Sequence, residues 1–214
     1  MTESSERTPS RNPSLPCAWR SPSECKDCPA EGILMCRFDP KDLATFFITI
    51  LPYGIAVIAG TILAGYDRYL LLWLAYSIFF FFVWEARVLC SHCPYWAEEG
   101  RILRCHANFG VVKLWRYRPG PMGRSEKVQF VTGALLWIGF PFVFLLLGRE
   151  YLLSSIGAAA ALSAALGLRN RACSRCINFS CPMNTVPKLM VDAYLKRNPD
   201  IRAAWEAGGY RLDE

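Results

Sequence analysis

The stretch YLLLWLAYSIFFFFVWEARVLCSHC, residues 69–93, joins the two features that decide the fold: a long apolar segment and a C-x-x-C pair. Up to residue 88 this stretch carries only two charges, Glu85 and Arg87, both near its end. About 20 apolar residues of helix cross the roughly 30 Å hydrocarbon core of a bilayer, so we interpret residues 69–88 as a membrane-spanning helix. At the edge of the membrane the two charged side chains can reach the headgroups or pair.

Three further segments are apolar and of full or nearly full spanning length: residues 43–64, 128–147 and 151–168. Short turns at residues 65–68 and 148–150 join the four helices in pairs, and turns this brief force antiparallel neighbours. The predicted fold class is therefore an all-α integral membrane protein with four transmembrane helices in two hairpins. The three longer segments then lie on one side of the bilayer: residues 1–42, 89–127 and 169–214.

The charge distribution predicts which side this is. The chain has 24 Lys and Arg residues, and only Arg68 and Arg149 fall in the two short turns. Under the positive-inside rule both termini and all the cysteines are therefore cytoplasmic. Contact with anionic headgroups explains the net charge of +6, so we expect a lipid bilayer and no nucleic acid as partner. A hydrophobic content of 53% excludes a mainly disordered chain.

The two hairpins share a sequence pattern. Each has a glycine, then a Tyr-Leu-Leu run that opens its second helix, and then a C-x-x-C pair. From Tyr69 to Cys90 is 21 positions, and from Tyr151 to Cys173 is 22. We interpret the pattern as an internal duplication whose copies keep one orientation, because each contains an even number of helices.

These features divide the chain into six segments. A disordered N-terminus (residues 1–16) is followed by a four-cysteine segment (17–42) and by the first hairpin with its C-x-x-C pair (43–105). A basic cytoplasmic loop (106–127) leads to the second hairpin with its cysteines (128–184). An amphipathic tail of two short helices (185–214) ends the order.

The ten cysteines all lie outside the apolar segments and form three groups. Each group contains a C-x-x-C pair, which directs two sulfurs at one centre and recurs in zinc and iron–sulfur sites. A cytoplasmic position disfavours disulfides, so we predict metal ligation. The predicted ligands are all ten cysteines, with His106 as a further candidate: Cys17, Cys25, Cys28 and Cys36; Cys90, Cys93 and Cys105; Cys173, Cys176 and Cys181.

The partition into sites is open at this point. The first group supplies four ligands, but each of the others needs a fourth: His106, an open coordination position, or a cysteine from the other group. One arrangement that suits the duplication joins the two later C-x-x-C pairs in a single site and leaves Cys105 and Cys181 as a spare pair. For His92 a role as hydrogen-bond partner is expected.

Ligand type alone does not separate iron from zinc, because both accept four cysteines. The run C-x2-C-x4-C-P, from Cys173 to Pro182, is similar to the cysteine run of bacterial ferredoxins, in which a proline follows the last cysteine. No segment has the full ferredoxin spacing. The resemblance implies an iron–sulfur cluster of the 4Fe–4S type without the ferredoxin fold, and zinc is the alternative cofactor.

The expected function is electron transfer between a cytoplasmic donor and a membrane acceptor, either quinone or a partner protein. The alternative is a membrane adaptor whose loops are folded by zinc. Thiol–disulfide exchange is a further alternative, although in membrane enzymes of that kind the reactive pairs face the oxidising side. If the protein is an enzyme, we expect an oxidoreductase.

Residues 91–96, SHCPYW, resemble the Asp-His-His-Cys-Pro-Trp signature of protein palmitoyltransferases without its acidic residue and first histidine. That resemblance implies Cys93 as the acylated nucleophile and His92 as its base. The sequence contains no motif of the common nucleotide-binding, metalloprotease or serine-hydrolase families.

Overall fold

A computed structural model describes residues 16–20, Cys25 and residues 28–213. Within this part of the chain the α-helices are α1 (Pro40–Leu63), α2 (Tyr69–Phe79), α3 (Glu85–Val88), α4 (Arg124–Leu147), α5 (Tyr151–Leu168), α6 (Lys188–Lys196) and α7 (Pro199–Ala207). A π-helical turn, Phe80–Trp84, joins α2 to α3, and another, Arg169–Cys173, extends α5. Short 3-10 turns lie at Cys17–Trp19, Cys90–His92 and Pro94–Ala97. The described residues form isolated β-bridges but no strand.

Four helical runs are long and apolar enough to cross a membrane, which confirms the all-α class and the four candidate spans. Two of them begin three or four residues earlier than predicted. α1 begins earlier because the Asp39 carboxylate accepts a backbone N–H of its first turn at 2.8 Å. α4 begins at Arg124 because the Glu126 carboxylate accepts the N–H of Gly123 at 2.9 Å.

The two hairpin turns need glycine for different reasons. Gly65 has a φ of 77°, a left-handed conformation that other residues adopt only at a cost. Gly148 approaches the end of α1 so closely that a Cβ there would lie 2.3 Å from the Ala64 Cβ. In that turn the positive φ, 60°, belongs to Arg149. The glycines that the duplication equates therefore differ in conformation, and the duplication stays a prediction.

In the apolar region α1 packs mainly against α5. Its buried residues recur every three or four positions: Tyr53, Ala56, Val57, Gly60 and Thr61. The buried residues of α5 are small: Ser154, Gly157 and Ala164. Small residues let two helices approach closely, while the large apolar side chains exposed on the outer faces suit contact with lipid.

Side chains of α2 bond to backbone carbonyls of α4. Pro141 has no N–H, so the carbonyl of Trp137, four residues earlier, lacks its helical donor. The indole N–H of Trp73 donates to that carbonyl at 2.9 Å, and the hydroxyl of Tyr76 donates to the carbonyl of Gly133 at 3.0 Å. Because the bilayer core offers no water, such bonds fix one hairpin against the other.

The segments outside the apolar helices fold around one hydrophobic core. Its buried members come from all three segments: Leu34 from the first, Tyr95 and Leu103 from the second, and Leu195 and Trp205 from the third. The three segments therefore lie at the same end of the helices, in agreement with the short turns. The side of the membrane on which this end lies stays a prediction.

The two ends of the chain differ in how far the structure describes them. The C-terminal tail forms the expected pair of helices, and each buries one face against the core, as Leu195 of α6 and Ile201 of α7 show. The N-terminus expected to be disordered lies outside the described residues, apart from Pro16, which is buried.

The expectation for Glu85 is not met. This carboxylate does not pair with Arg87 and does not point away from the protein, because only 9% of its residue surface is exposed. Arg87 is exposed, and its guanidinium lies 5.5 Å from the ring centroid of Trp115. The π-helical turn that precedes Glu85 accounts for the inward direction, because a π turn shifts the helical register of the residues after it.

Candidate metal centres

Four cysteines line one cavity of about 510 Å³. We call them the N-terminal cysteine set: Cys17, Cys25, Cys28 and Cys36. The cavity lies between the segment that carries them, the start of α1, and the end of α6, where Tyr194 and Arg197 contribute to its wall. The four cysteines predicted as one group are thus brought to one place.

Local hydrogen bonds shape this set. The N–H of Cys28 donates to the carbonyl of Cys25 at 3.0 Å, which closes the C-x-x-C turn. Cys17 is held from the far end of the chain by Asn198, whose Oδ1 accepts the Cys17 N–H at 2.7 Å. Asn198 Nδ2 also donates to Cys17 Sγ at 3.3 Å. Sequence reasoning missed Asn198 because 181 positions separate it from Cys17 and no motif connects them.

The thiols of the N-terminal set influence one another. Burial raises the pKa of Cys36 to about 12, and the neighbouring Cys17 and Cys28 contribute to the rise. Burial likewise raises the pKa of Cys17, although the hydrogen bond from Asn198 opposes it. The same cysteines line one cavity, so their thiols share one environment.

The other six cysteines form a second constellation. We call them the loop cysteine set: Cys90, Cys93, Cys105, Cys173, Cys176 and Cys181. Both of its C-x-x-C pairs follow directly on apolar helices, since Cys90 opens the 3-10 turn after α3 and Cys173 ends the π turn after α5. Cys90 and Cys93 belong to the buried core of the extramembrane region, and the N–H of Cys93 donates to the carbonyl of Cys90 at 2.9 Å.

Burial dominates the electrostatics of the loop set, and its thiols also influence one another. Burial raises the pKa of Cys93 well above the ordinary value, and Cys105 and Cys176 raise it further. Burial also raises the pKa of Cys176, with Cys105 and Cys181 adding to it. Burial raises the pKa of Cys181 to about 12, and Cys173 adds to the rise. The two loops meet in the structure, since Asn178 Nδ2 donates to the carbonyl of Leu89 at 3.5 Å and Cys181 packs against Val88 and Leu89.

The arrangement that the duplication suggests stays a prediction. Cys176 and Cys90 both contribute to the raised pKa of Cys93, and Cys105, the spare member of that arrangement, contributes as well. The loop that carries Cys105 folds back on itself, with the N–H of Leu103 donating to the carbonyl of Val111 at 2.8 Å. No periodicity in the sequence indicates this reversal.

The two histidines are placed differently. His92 Nδ1 lies 2.7 Å from the carbonyl oxygen of Gly120, and its Nε2 lies 3.2 Å from the Glu126 carboxylate. The Nδ1 contact matches the expected role as hydrogen-bond partner, whereas Nε2 is buried without a hydrogen bond. His106 is buried edge-on against the Tyr95 ring, its Nδ1 has no hydrogen-bond partner, and burial lowers its pKa.

The two cysteine sets are directly connected. Met35, which precedes Cys36, pairs with Cys176 in an isolated parallel bridge, and the Met35 N–H donates to the carbonyl of Arg175 at 2.7 Å. The hydroxyl of Tyr95 donates to the Met35 carbonyl at 2.6 Å. One backbone hydrogen bond thus joins a residue next to each set.

The cysteines are close together but are not arranged as a site for a single ion. Among the described residues, no three or more His, Cys, Asp and Glu side chains are placed so that they could hold one metal ion. All ten cysteines are free thiols. Burial raises the pKa of Cys17, Cys36, Cys93, Cys176 and Cys181, so these thiols are poor nucleophiles at neutral pH.

The chain matches no known protein-family model, and no curated protein or solved structure matches it in sequence or in fold. The functional conclusion therefore depends on the site alone.

Proposed function

We propose that the protein is a membrane-anchored iron–sulfur protein that passes electrons between a soluble donor and a membrane acceptor, either quinone or a partner subunit. The observation that carries this proposal is the placement of two multi-cysteine sets in one small core at the end of four apolar helices, joined by the Met35–Arg175 hydrogen bond. Clusters held by cysteine in this way accept and release one electron at a time.

The N-terminal set surrounds a space of its own, because its four cysteines line one cavity of about 510 Å³. The preference for an iron–sulfur cluster over zinc rests on the C-x2-C-x4-C-P run of the loop set, which is similar to the cysteine run of bacterial ferredoxins.

The positions of the two sets relative to the apolar helices suggest a direction of electron flow. The cysteines of the N-terminal set are partly exposed, so a soluble protein can approach them. The loop set continues from α3 and α5 and includes the deeply buried Cys90 and Cys93, so it lies nearer the apolar helices. Electrons would then enter at the N-terminal set and leave through the loop set. A quinone would take up two electrons in successive steps, together with two protons.

The first experiment measures the metals. The full-length protein is purified anaerobically in detergent, iron, zinc and acid-labile sulfide are measured per chain, and EPR spectra are recorded before and after dithionite. Iron with sulfide and a signal that appears on reduction is the expected result. Zinc without sulfide would overturn the electron-transfer proposal and favour the zinc-folded adaptor.

The second experiment tests the proposed cytoplasmic location of both sets. Asp67 lies exposed in the turn between α1 and α2. In intact cells or spheroplasts, Asp67→Cys should react with a membrane-impermeant maleimide, whereas the wild-type cysteines should not. Labelling of the wild-type protein in intact cells would place the cysteine sets outside and return thiol–disulfide exchange to consideration.

A further inference from the structure

The loop that carries Cys105 has an exposed apolar surface that the electron-transfer proposal does not use. We call residues 101–114 the surface loop. Its two arms run antiparallel: Ile102 and Val112 form an isolated bridge, and the N–H of Lys113 donates to the carbonyl of Arg101 at 2.8 Å. Residues that lie opposite each other in such a bridge point to the same face.

The surface loop is apolar on both of its faces. Leu103 and Val111 are each 1% exposed and belong to the core of the extramembrane region. Ile102 and Val112 are 53% and 49% exposed, and Leu114 in the second arm is 63% exposed. An antiparallel pair with one face in water normally has polar side chains on that face. The large apolar side chains exposed here therefore indicate contact with something other than water.

Two sets of contacts place the surface loop beside the ends of the apolar helices. Phe109, in its turn, stacks on Phe38 with 5.3 Å between the ring centroids, and Phe38 lies two residues before α1. Just beyond the second arm, Trp115 lies against the guanidinium of Arg87 in α3, and Arg118 Nη2 donates to the Arg87 carbonyl at 2.6 Å. The loop thus extends between the start of α1 and the end of α3, the level at which Trp and Arg anchor membrane helices.

The charge of this part of the chain is entirely basic. Residues 101–118 contain five Lys and Arg residues and no Asp or Glu. Arg101 and Arg116 are exposed, and neither takes part in an ion pair with any residue that the structure describes. Arginine binds phosphate oxygens through paired hydrogen bonds, and anionic headgroups attract basic side chains near a membrane surface. Exposed apolar side chains with arginines beside them are typical of an element that lies in the bilayer surface.

We propose that the surface loop is a further membrane-contacting element, which lies in the surface of the bilayer and binds anionic phospholipid. Ile102, Val112 and Leu114 enter the boundary between headgroups and acyl chains, and Arg101 and Arg116 bind lipid phosphates. The proposal goes beyond electron transfer and requires no metal. It also gives the bilayer a part in holding the loop set, because Cys105 lies between the two arms.

The first experiment identifies what contacts the apolar surface. The full-length protein is made with the photoreactive amino acid p-benzoylphenylalanine in place of Val112 and is irradiated in native membranes. Adducts with the mass of one phospholipid are expected. Lys196 is the control position, because it is exposed at the end of α6, whereas the chain enters α6 beside the end of α5, where the N–H of Thr185 donates to the carbonyl of Cys173. Position 196 should give no lipid adduct.

The other outcomes of this experiment would overturn the proposal. A crosslink from position 112 to a protein would assign the apolar surface to a partner or a second copy of the chain. A lack of any adduct would mean that the surface faces water. Lipid adducts of equal yield at both positions would show only general closeness to the membrane. If the replacement at position 112 prevents folding, the same experiment at the more exposed Leu114 decides.

The second experiment tests the role of the arginines. The protein is reconstituted in nanodiscs of phosphatidylcholine and phosphatidylglycerol, and EPR of spin-labelled lipids measures its preference for the anionic lipid. Arg101→Gln combined with Arg116→Gln should lower this preference by about five-fold for each arginine that binds a phosphate. Arg211→Gln is the matched control, because it removes the same charge from an exposed position in the C-terminal tail.

The result is independent of metal content, so it separates this proposal from the proposed function. An unchanged lipid preference in the double variant would overturn the binding of anionic lipid by the surface loop. A loss per arginine as large in Arg211→Gln would overturn it as well, because net charge alone would then explain the preference. Zinc, or no metal, in the wild-type protein would overturn electron transfer and leave both lipid experiments valid.

Discussion

The two cysteine sets differ in how the chain builds them. The N-terminal set comes from residues 17–36 and lines a cavity with partly exposed cysteines. The loop set is assembled from two loops that follow α3 and α5, and its members Cys90 and Cys93 are only 7% and 4% exposed. The cysteines of the N-terminal set come from one segment, and outside that segment Asn198 holds Cys17 and the end of α6 lines the cavity. The loop set also requires the four apolar helices to bring its two halves together. We therefore expect the loss of one of its cysteines to destabilise more of the protein.

The largest difference is expected when one cysteine is removed from each set. Cys93→Ser should release the metal of the loop set and lower the free energy of unfolding by about 4 kcal/mol or more, because it also places a hydroxyl in the core. Cys28→Ser should release only the metal of the N-terminal set, with a smaller loss of stability. Metal per chain and chemical unfolding followed by tryptophan fluorescence check both. Equal losses of stability would mean that the two sets are equally embedded in the fold.

A second test moves the helices instead of the ligands. A Cβ on Gly133 would lie 2.2 Å from Cε2 of Phe80, in the π turn that leads to α3. Gly133→Ala should therefore separate α2 from α4 at a cost of about 1–3 kcal/mol and weaken the loop set alone. Gly139→Ala is the control, because no atom lies within 4 Å of a Cβ at that position. Metal retention under a chelator should fall for the first variant only, and loss from the N-terminal set would contradict the idea that this set is local.

The same contrast explains what the sequence could predict. Apolar length alone identifies the four candidate spans, because burial in a bilayer imposes one requirement on every residue. Spacing identifies the N-terminal set, because its four cysteines are local. The position of Cys105 depends on a loop reversal that leaves no periodic signal. The partner Asn198 was missed because 181 positions separate it from Cys17, and the burial of Glu85 was missed because a π turn precedes it.

A third test concerns the connection between the sets. Tyr95→Phe removes the hydroxyl that donates to the Met35 carbonyl at 2.6 Å. It should cost about 1–2 kcal/mol, because a buried acceptor loses its donor. Tyr194→Phe is a matched control in the same core, since the buried Tyr194 hydroxyl has no hydrogen-bond partner among the described residues. This second variant should be neutral or slightly more stable in the same unfolding measurement, because burying an unbonded hydroxyl is itself unfavourable. Similar losses for both variants would show that ring packing, not the hydrogen bond, holds Met35 between the sets.

The finest test uses one asparagine at each set. Asn198 Nδ2 donates to Cys17 Sγ at 3.3 Å, and Asn108 Nδ2 donates to Cys90 Sγ at 3.4 Å. Such bonds stabilise the more negative, reduced state of a thiolate-bound cluster, so their removal should lower its reduction potential. Asn198→Ala should lower the potential of the N-terminal set by an amount on the order of tens of millivolts and leave the other signal in place.

Asn108→Ala should lower the reduction potential of the loop set and leave the signal of the N-terminal set in place, because Asn108 donates to Cys90, a member of the loop set. Redox titrations monitored by EPR on each variant separate the two signals. A shift of both signals in either variant would mean that the two sets are electronically coupled through the Met35–Arg175 connection. The division into a local and an assembled site would then apply to folding but not to electron transfer.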